Sequence, residues 1–542
     1  MSLSDTQNSA MLAEEQVQNG TAPSAPMLFS AKALSRSIYM LMGLLVIYVI
    51  VRGALTAATK AFWFDELITL QLSQLPSMHA VWIALSRALD SPPPGFYLIQ
   101  RHFVGLLQQK EISLRLASIL AFPCTLVCVF VYAKKRSGEA IAFLCALLLL
   151  LTTLFHRFAV EDRPYSMMVA CIAFALVCYQ RVPSPLWTIL LGVILALGQT
   201  IHHYTVLAII PFGIAEAVYS FRTRNVRWRV WVALIVGALP LIFFWPLLAN
   251  IRTVFAEHFF EVYGYGSIPG TYGSFFETDS AFATALVAVA AAGIIGARFR
   301  RAPAAITNVE TRASDISEGM LLLSFVLLPI IAFTLIRIMH GGMRDAYVLS
   351  SILGIALALA AALSLARPGV VALFAVFVIF SVAVREYKFW RSRPSLHFVS
   401  PANDVESFIN KAGFDKLPIV ISSGMRYTPL YHYASPTFGK RLFYLTDKAK
   451  LYRYQGTDTF DKNVEILADY MPLQLRDFAE FTGEHPQFLL YTEEPEDAGT
   501  WLPIHLSQES VASMRTLDVE PSKRLYLVTM ATNGRSASAS QP

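Results

Sequence analysis

Two adjacent carboxylates, Asp65 and Glu66, stand in the stretch FWFDELITL (62–70), directly after Phe62, Trp63 and Phe64. Aromatic side chains gather where a chain meets a membrane–water boundary. A carboxylate against an apolar wall holds its proton more tightly, and two together can hold a divalent cation. The competing reading is a solvated acid pair beside an aromatic belt.

Four further clusters carry polar chemistry. FHRFAVEDRPYSMM (155–168) gathers His156, Arg157, Glu161, Asp162, Arg163 and Tyr165. Its Arg-Pro step opens a helix, and a helix N-terminus beside an arginine suits a phosphate. An internally salt-bridged loop fits equally well. In LDSPPPGFYLIQRHF (89–103), Asp90 precedes three prolines and a glycine, which force a rigid, non-helical entry into the next segment. The simplest role for Asp90 is to start that turn. QTIHHYTV (199–206) sets His202, His203 and Tyr204 between two apolar runs, where a surface turn competes with an intramembrane site. MHGGMRDAYVLS (339–350) carries His340, Arg344 and Asp345 beside glycines that permit close backbone approach.

The frame for these groups is a membrane. The 542 residues are 55% hydrophobic and 15% charged, with a mean hydropathy of +0.50; soluble domains carry about a quarter charged residues. Runs long enough to cross a bilayer, about 20 residues each, lie near 38–58, 113–133, 139–156, 164–180, 186–201, 204–221, 230–249, 281–297, 319–338, 346–366 and 369–385. Alternate loops are basic: Lys134–Lys135–Arg136, Arg181, Arg222 to Arg229, Arg298 to Arg312, then Arg367. Basic loops stay in the cytoplasm, so eleven spans put the N-terminus inside and the C-terminal region outside. Residues 94–108 hold Arg101 and His102; reading them as a span would break the alternation, so they are an interfacial helix. The first outer loop then covers 59–112, and every non-topogenic polar cluster falls on the outer face.

Residues 389–532 have ordinary globular composition. Strands are predicted over 417–422, 441–445, 487–491 and 524–528, with helical spacing over 405–414 and 464–481. The fold class is an α-helical polytopic membrane protein (36–388) with a small extracytoplasmic α/β domain. The polar ends, 1–35 and 533–542, read as disordered tails, and no cleavable signal peptide is expected. All five cysteines sit in apolar runs, which argues for packing rather than disulfides or a thiolate metal site. The net charge of +6 resides in topogenic loops and does not indicate nucleic-acid binding.

The motif order resembles the GT-C superfamily of polyprenyl-phosphate-sugar-dependent glycosyltransferases, family 39 type, which includes protein mannosyltransferases and is related to lipid A aminoarabinose transferases. FWFDELITL is similar to the family's aromatic-Asp-Glu motif, DSPPPGFYLIQRHFVGLL to its Asp-x-His-Pro-Pro segment, and EISLRLASIL to the arginine-bearing segment after it. EDRPYSMMVA resembles its Arg-Pro-Tyr helix start, IHHYTVLAIIP its His-Tyr segment, and MRDAYVLSSILG a late Arg-Tyr-Leu. Pro92 stands where the family has histidine, and two residues separate Arg344 from Tyr347.

The resemblance implies a bacterial inner-membrane enzyme moving one sugar from a polyprenyl-phosphate donor to an extracytoplasmic glycan, lipid or protein acceptor. It implies Asp65 as general base, with Glu66 and Asp90 positioning the acceptor, orienting the base or binding a cation. Arg163, with Arg115 or Arg344, would stabilise the departing phosphate. Tyr97, Tyr165, His202, His203 and Tyr204 complete the implied substrate-binding set. A divalent cation, at Asp65 and Glu66 if anywhere, stays open. The alternatives are a transporter or flippase of a lipid-linked saccharide, and a polysaccharide ligase.

Overall fold

The computed structural model describes residues 31–255, 265–276, 309–339, 344–393, 397–494, 497, 499–508 and 511–531. The predicted tails lie almost wholly, and the span at 281–297 and His340 lie entirely, outside these residues. Two compact units divide at Leu45/Val46. The first holds the opening turns of helix α1 (Ala31–Thr59), and every other described element belongs to the second.

Each remaining predicted span coincides with helix. After α1 come α2 (Phe64–Gln74), α3 (Met78–Ser86) and α4 (Pro94–Phe103), all in the first outer loop, then α5 (Lys110–Leu148). There follow α6 (Tyr165–Tyr179), α7 (Pro185–Ile201), α8 (Thr205–Thr223), α9 (Trp228–Phe243), α10 (Trp245–Phe255), α11 (Val309–Val326), α12 (Leu328–Met339), α13 (Ser351–Ser364) and α14 (Pro368–Arg391). Among the described residues, four helices are long and apolar enough to cross a membrane alone. Two bent pairs, α9 with α10 at 52° and α11 with α12 at 61°, bring the number to six if each pair is one broken span. The spans predicted at 113–133 and 139–156 share α5, and the break falls at Gly138, whose φ of +76° suits only glycine.

The helices carry the mark of a lipid solvent. Leu186, Ile189, Val193 and Leu197 on α7, and Leu373, Val376 and Phe380 on α14, are exposed at three- and four-residue spacing. A water-soluble protein would not leave such stripes bare. Inside, α7 and α9 approach through glycines: a Cβ on Gly237 would lie 2.6 Å from that of Leu195, and Gly192 abuts Ala233.

The segment 94–108 is not a span. Its helix, α4, has ten residues, about 15 Å at 1.5 Å per residue, half the hydrocarbon thickness. Phe96, Tyr97 and Gln100 are buried, while Leu98, Leu106 and Leu107 are bare. Gly95 lets it touch the end of α7: a Cβ there would stand 2.5 Å from the Thr200 carbonyl oxygen.

The C-terminal region folds on a six-stranded sheet: β1 (Ile419–Ile421), β2 (Leu442–Thr446), β3 (Leu475–Asp477), β4 (Gln487–Glu493), β5 (Ala512–Val519) and β6 (Lys523–Met530). The order is β3-β2-β1-β4-β6-β5; the first four are parallel, and β6 runs antiparallel to both its neighbours, β4 and β5. All four predicted strands are present. β3 and β5 were not predicted: one has three residues, and the other shows no clean apolar alternation. The single helix predicted over 464–481 is broken. One helix ends at Leu467, Pro472 comes next, β3 intervenes, and the Asp477 carboxylate caps a new helix by accepting from the N–H groups of Ala479 and Glu480.

Helix α15 (Gly424–Tyr433), after β1, packs on α2 of the first outer loop. One apolar core runs through both, from Phe64, Ile68, Leu72 and Leu85 to Tyr427, Leu430 and Val464.

Candidate active site

Asp65 and Glu66 open α2, one residue apart, and point to different surroundings. Glu66 is wholly buried against Arg115 of α5, also wholly buried. Arg115 Nε donates to Glu66 Oε1 (2.7 Å) and Nη2 to Oε2 (2.6 Å), the bidentate geometry that favours arginine. The Asp162 N–H donates to Oε1 (2.7 Å), and the Trp63 N–H to Oε2 (3.3 Å). Four donors meet the roughly four lone pairs of a carboxylate, so Glu66 has none left for a cation shared with Asp65. Burial raises the Glu66 pKa, but Arg115, Lys60 and the Asp162 N–H outweigh it and hold the carboxyl below its ordinary range.

A second buried pair lies beside the first. Arg163 Nη1 and Nη2 donate to Asp90 Oδ2 (2.7 Å) and Oδ1 (3.0 Å). Asp90 also accepts from the Tyr97 hydroxyl and the Ser91 N–H, both at 2.8 Å, so it starts the predicted turn while neutralising Arg163. Asp162 is buried and takes one hydrogen bond from Gln100 (2.5 Å), while its Oδ2 has no partner among the described residues. Burial, reinforced by Glu66, pushes its pKa well above the usual carboxylate value.

Asp65 faces a cavity of about 230 Å³, lined also by Trp63, Arg157, Phe158, Glu161, Tyr165 and Arg344. Its carboxylate accepts no hydrogen bond from the described residues; Arg163 Nη2 stands 3.9 Å from Oδ2. Burial raises its pKa, Arg163 opposes, and Asp90 adds to the rise. Glu161, across the cavity, meets Lys60 at 3.0 Å and Arg157 at 3.4 Å, and its Oε2 has no partner among the described residues.

The aromatic residues divide. Tyr165 packs at 5.2 Å from the His202 ring, and Tyr204 stacks on Tyr347 at 3.9 Å and 11°, bringing three separate loops together. Burial, with His203 and Arg163, keeps His202 neutral by lowering its pKa well below 6.5. His203 instead faces Phe244, with neither ring nitrogen hydrogen-bonded among the described residues and its pKa lowered to about 4 by burial. His203 is therefore buried rather than at a surface turn, and turned away from the Tyr165 cluster.

The structure thus brings Asp65, Tyr165 and Arg344 to one cavity. It ties Glu66 to Arg115, and Asp90 to Arg163 and Tyr97. Lys60 was missed, although a lysine at the outer end of the first span, two residues from Phe62, was a readable signal. Tyr433 was also missed: its hydroxyl accepts from the Phe62 N–H (2.9 Å), 371 residues away in sequence, and no local pattern announces that. Among the described residues, no group of three His, Cys, Asp or Glu could hold a metal ion.

Residues 90–249 match the family described as dolichyl-phosphate-mannose-protein mannosyltransferase. No curated protein sequence matches. Among solved structures, the chain is similar to ArnT from Cupriavidus metallidurans in the apo state, at 12% identity and TM-score 0.53, over 90% of this chain and 98% of that one. ArnT bound to undecaprenyl phosphate is similar at 14% identity and TM-score 0.51, over 90% and 97%. The fold is shared with ArnT over nine-tenths of this chain, and the resemblance to GT-C glycosyltransferases holds.

Proposed function

We propose that this membrane protein of GT-C fold transfers a single sugar from a polyprenyl-phosphate donor to an acceptor outside the bacterial cytoplasmic membrane. Its N-terminus is then cytoplasmic and its C-terminal domain extracytoplasmic. The mannosyltransferase segment and the undecaprenyl phosphate held by ArnT support the donor class. One observation carries the mechanism: Asp65 is the cavity-facing carboxylate without a hydrogen-bonded partner among the described residues, while Glu66 and Asp90 beside it are saturated.

In this reading Asp65 takes the proton of the acceptor hydroxyl or amine as the acceptor oxygen or nitrogen bonds to the anomeric carbon. The bond from that carbon to the phosphate oxygen breaks, and its electron pair leaves with the polyprenyl phosphate. Direct displacement inverts the anomeric carbon. The departing phosphate gains one negative charge, which Arg344 and Arg157, with Lys60 nearby, are suited to meet. Arg163 was the leading sequence-based candidate for that role, but both its Nη groups are committed to Asp90. Its task is to orient the base, as Arg115 orients Glu66. Trp63, Phe158 and Tyr165 offer ring faces to the sugar and the first isoprene units.

The test uses proteoliposomes supplied with polyprenyl-phosphate sugars and candidate acceptors, with products read by mass spectrometry. A covalently glycosylated acceptor is expected from the wild type. Donor movement across the bilayer without covalent change would overturn the proposal in favour of a flippase.

A further inference from the structure

The segment that delivers Asp65 has almost no secondary structure of its own. Residues 60–63 form a link without regular structure between α1 and α2, buried at Phe62 and partly buried elsewhere, so its backbone polar groups must be satisfied from other segments. Arg115 serves its carbonyl side. Nη1 donates to the oxygens of Ala57 (3.0 Å) and Lys60 (2.5 Å), and Nη2 to that of Ala61 (3.0 Å). On its N–H side, Glu66 takes the Trp63 N–H (3.3 Å) and the C-terminal domain takes the Phe62 N–H. Tyr433, the last residue of α15, accepts from the Phe62 N–H at 2.9 Å and donates to Glu111 Oε1, at the start of α5, at 3.0 Å. The same domain grips both aromatic flanks of the acid pair: His432 meets the Phe62 ring edge-on at 6.5 Å, and Phe460 meets Phe64 at 6.4 Å. Arg87 and Asp469 pair at 2.6 Å further along the same contact.

We infer that the C-terminal domain is a working part of the catalytic centre, with Tyr433 a positioning residue that fixes the loop presenting Asp65. The inference rests on the proposed role of Asp65. Tyr433 touches no reacting atom. Its hydroxyl pins the Phe62 N–H of a link whose carbonyls at Lys60 and Ala61 are pinned by Arg115 and whose Trp63 N–H is held by Glu66, and the geometry of Asp65 depends on all three. Loss of the hydroxyl leaves the Phe62 N–H without an acceptor and lets the link shift, which moves Asp65 in its cavity and changes its solvation.

The experiment compares full-length wild type with Tyr433→Phe in proteoliposomes, with Asp65→Asn as control. Tyr433→Phe is expected to lower kcat roughly tenfold, as loss of one hydrogen bond of ~1.4 kcal/mol would, with donor KM unchanged. The acid limb of its pH profile should move toward lower pH, because a better-solvated Asp65 titrates nearer an ordinary carboxylate. Should Tyr433→Phe fail to accumulate in membranes, Glu111→Ala removes the acceptor that orients the same hydroxyl; a smaller drop in kcat is then expected, again with donor KM unchanged. A folded Tyr433→Phe, or failing it a folded Glu111→Ala, with wild-type kcat and pH profile overturns the inference, provided Asp65→Asn is inactive. An active Asp65→Asn instead overturns the reading of Asp65 itself.

Discussion

Asp65 and Glu66 differ by one methylene and one position, yet they belong to different parts of the molecule. Glu66 lies in a saturated layer with Arg115, and Asp90 is likewise filled by Arg163, Tyr97 and Ser91, although the Arg163 Nε has no partner among the described residues. Asp65 borders an open layer, the cavity with Arg157, Glu161 and Arg344. Charge saturated on every lone pair is architecture, because nothing is left for a substrate. Charge left with an unsatisfied face is where a reaction can be stabilised. The lesson is that hydrogen-bond occupancy, rather than burial or charge, separates the two.

The contrast breaks most visibly if the saturated layer is cut. Arg115→Met strands a buried Glu66 and empties three backbone carbonyls, and removing one partner of such a pair costs about 3–5 kcal/mol. Melting of the purified protein should show a large loss of stability, and transfer should fail with the fold. The open layer is read through activity. Arg344→Ala should lower kcat/KM for the donor by about 10- to 100-fold, the worth of one charge-assisted hydrogen bond to phosphate. The pH profile is a gentler probe. The raised pKa of Asp65 means that it stays protonated, and useless as a base, to a higher pH than a free carboxylate near 3.9. The acid limb of kcat/KM should therefore lie above that value and vanish in Asp65→Asn. The smallest effect is predicted for Asp162→Asn. A carboxyl already driven toward its neutral form by burial loses little on becoming an amide, and its melting temperature should shift by less than ~1 kcal/mol would produce.

Much of this was legible in the sequence, for identifiable reasons. Spans are readable because lipid demands apolar residues over a fixed length, so positions such as 186–201 and 369–385 declare themselves. Gly138 and the basic residues beside it marked a break between spans, although the structure runs helix up to the kink. The short α4 was recognisable because Arg101 and His102 sit badly in a span. The acid pair stood out through its aromatic flank. Which acid is free did not, because the answer depends on Arg115, 49 residues away, and on the Asp162 N–H, 96 residues away. The pairing of Arg163 with Asp90 was hidden in the same manner, because the two lie 73 residues apart. Tyr433 lay beyond reach for the same reason: pairing across a tertiary contact leaves no periodic trace.

The most direct test measures transfer and melting together for Asp65→Asn and Glu66→Gln. Asp65→Asn is expected to melt like wild type and to lose about 10²- to 10⁴-fold in kcat, the span of general-base catalysis, while Glu66→Gln loses stability first. An Asp65→Asn protein that transfers sugar at the wild-type rate, or a Glu66→Gln protein that is fully stable yet inactive, would contradict the division between a free base and a saturated partner.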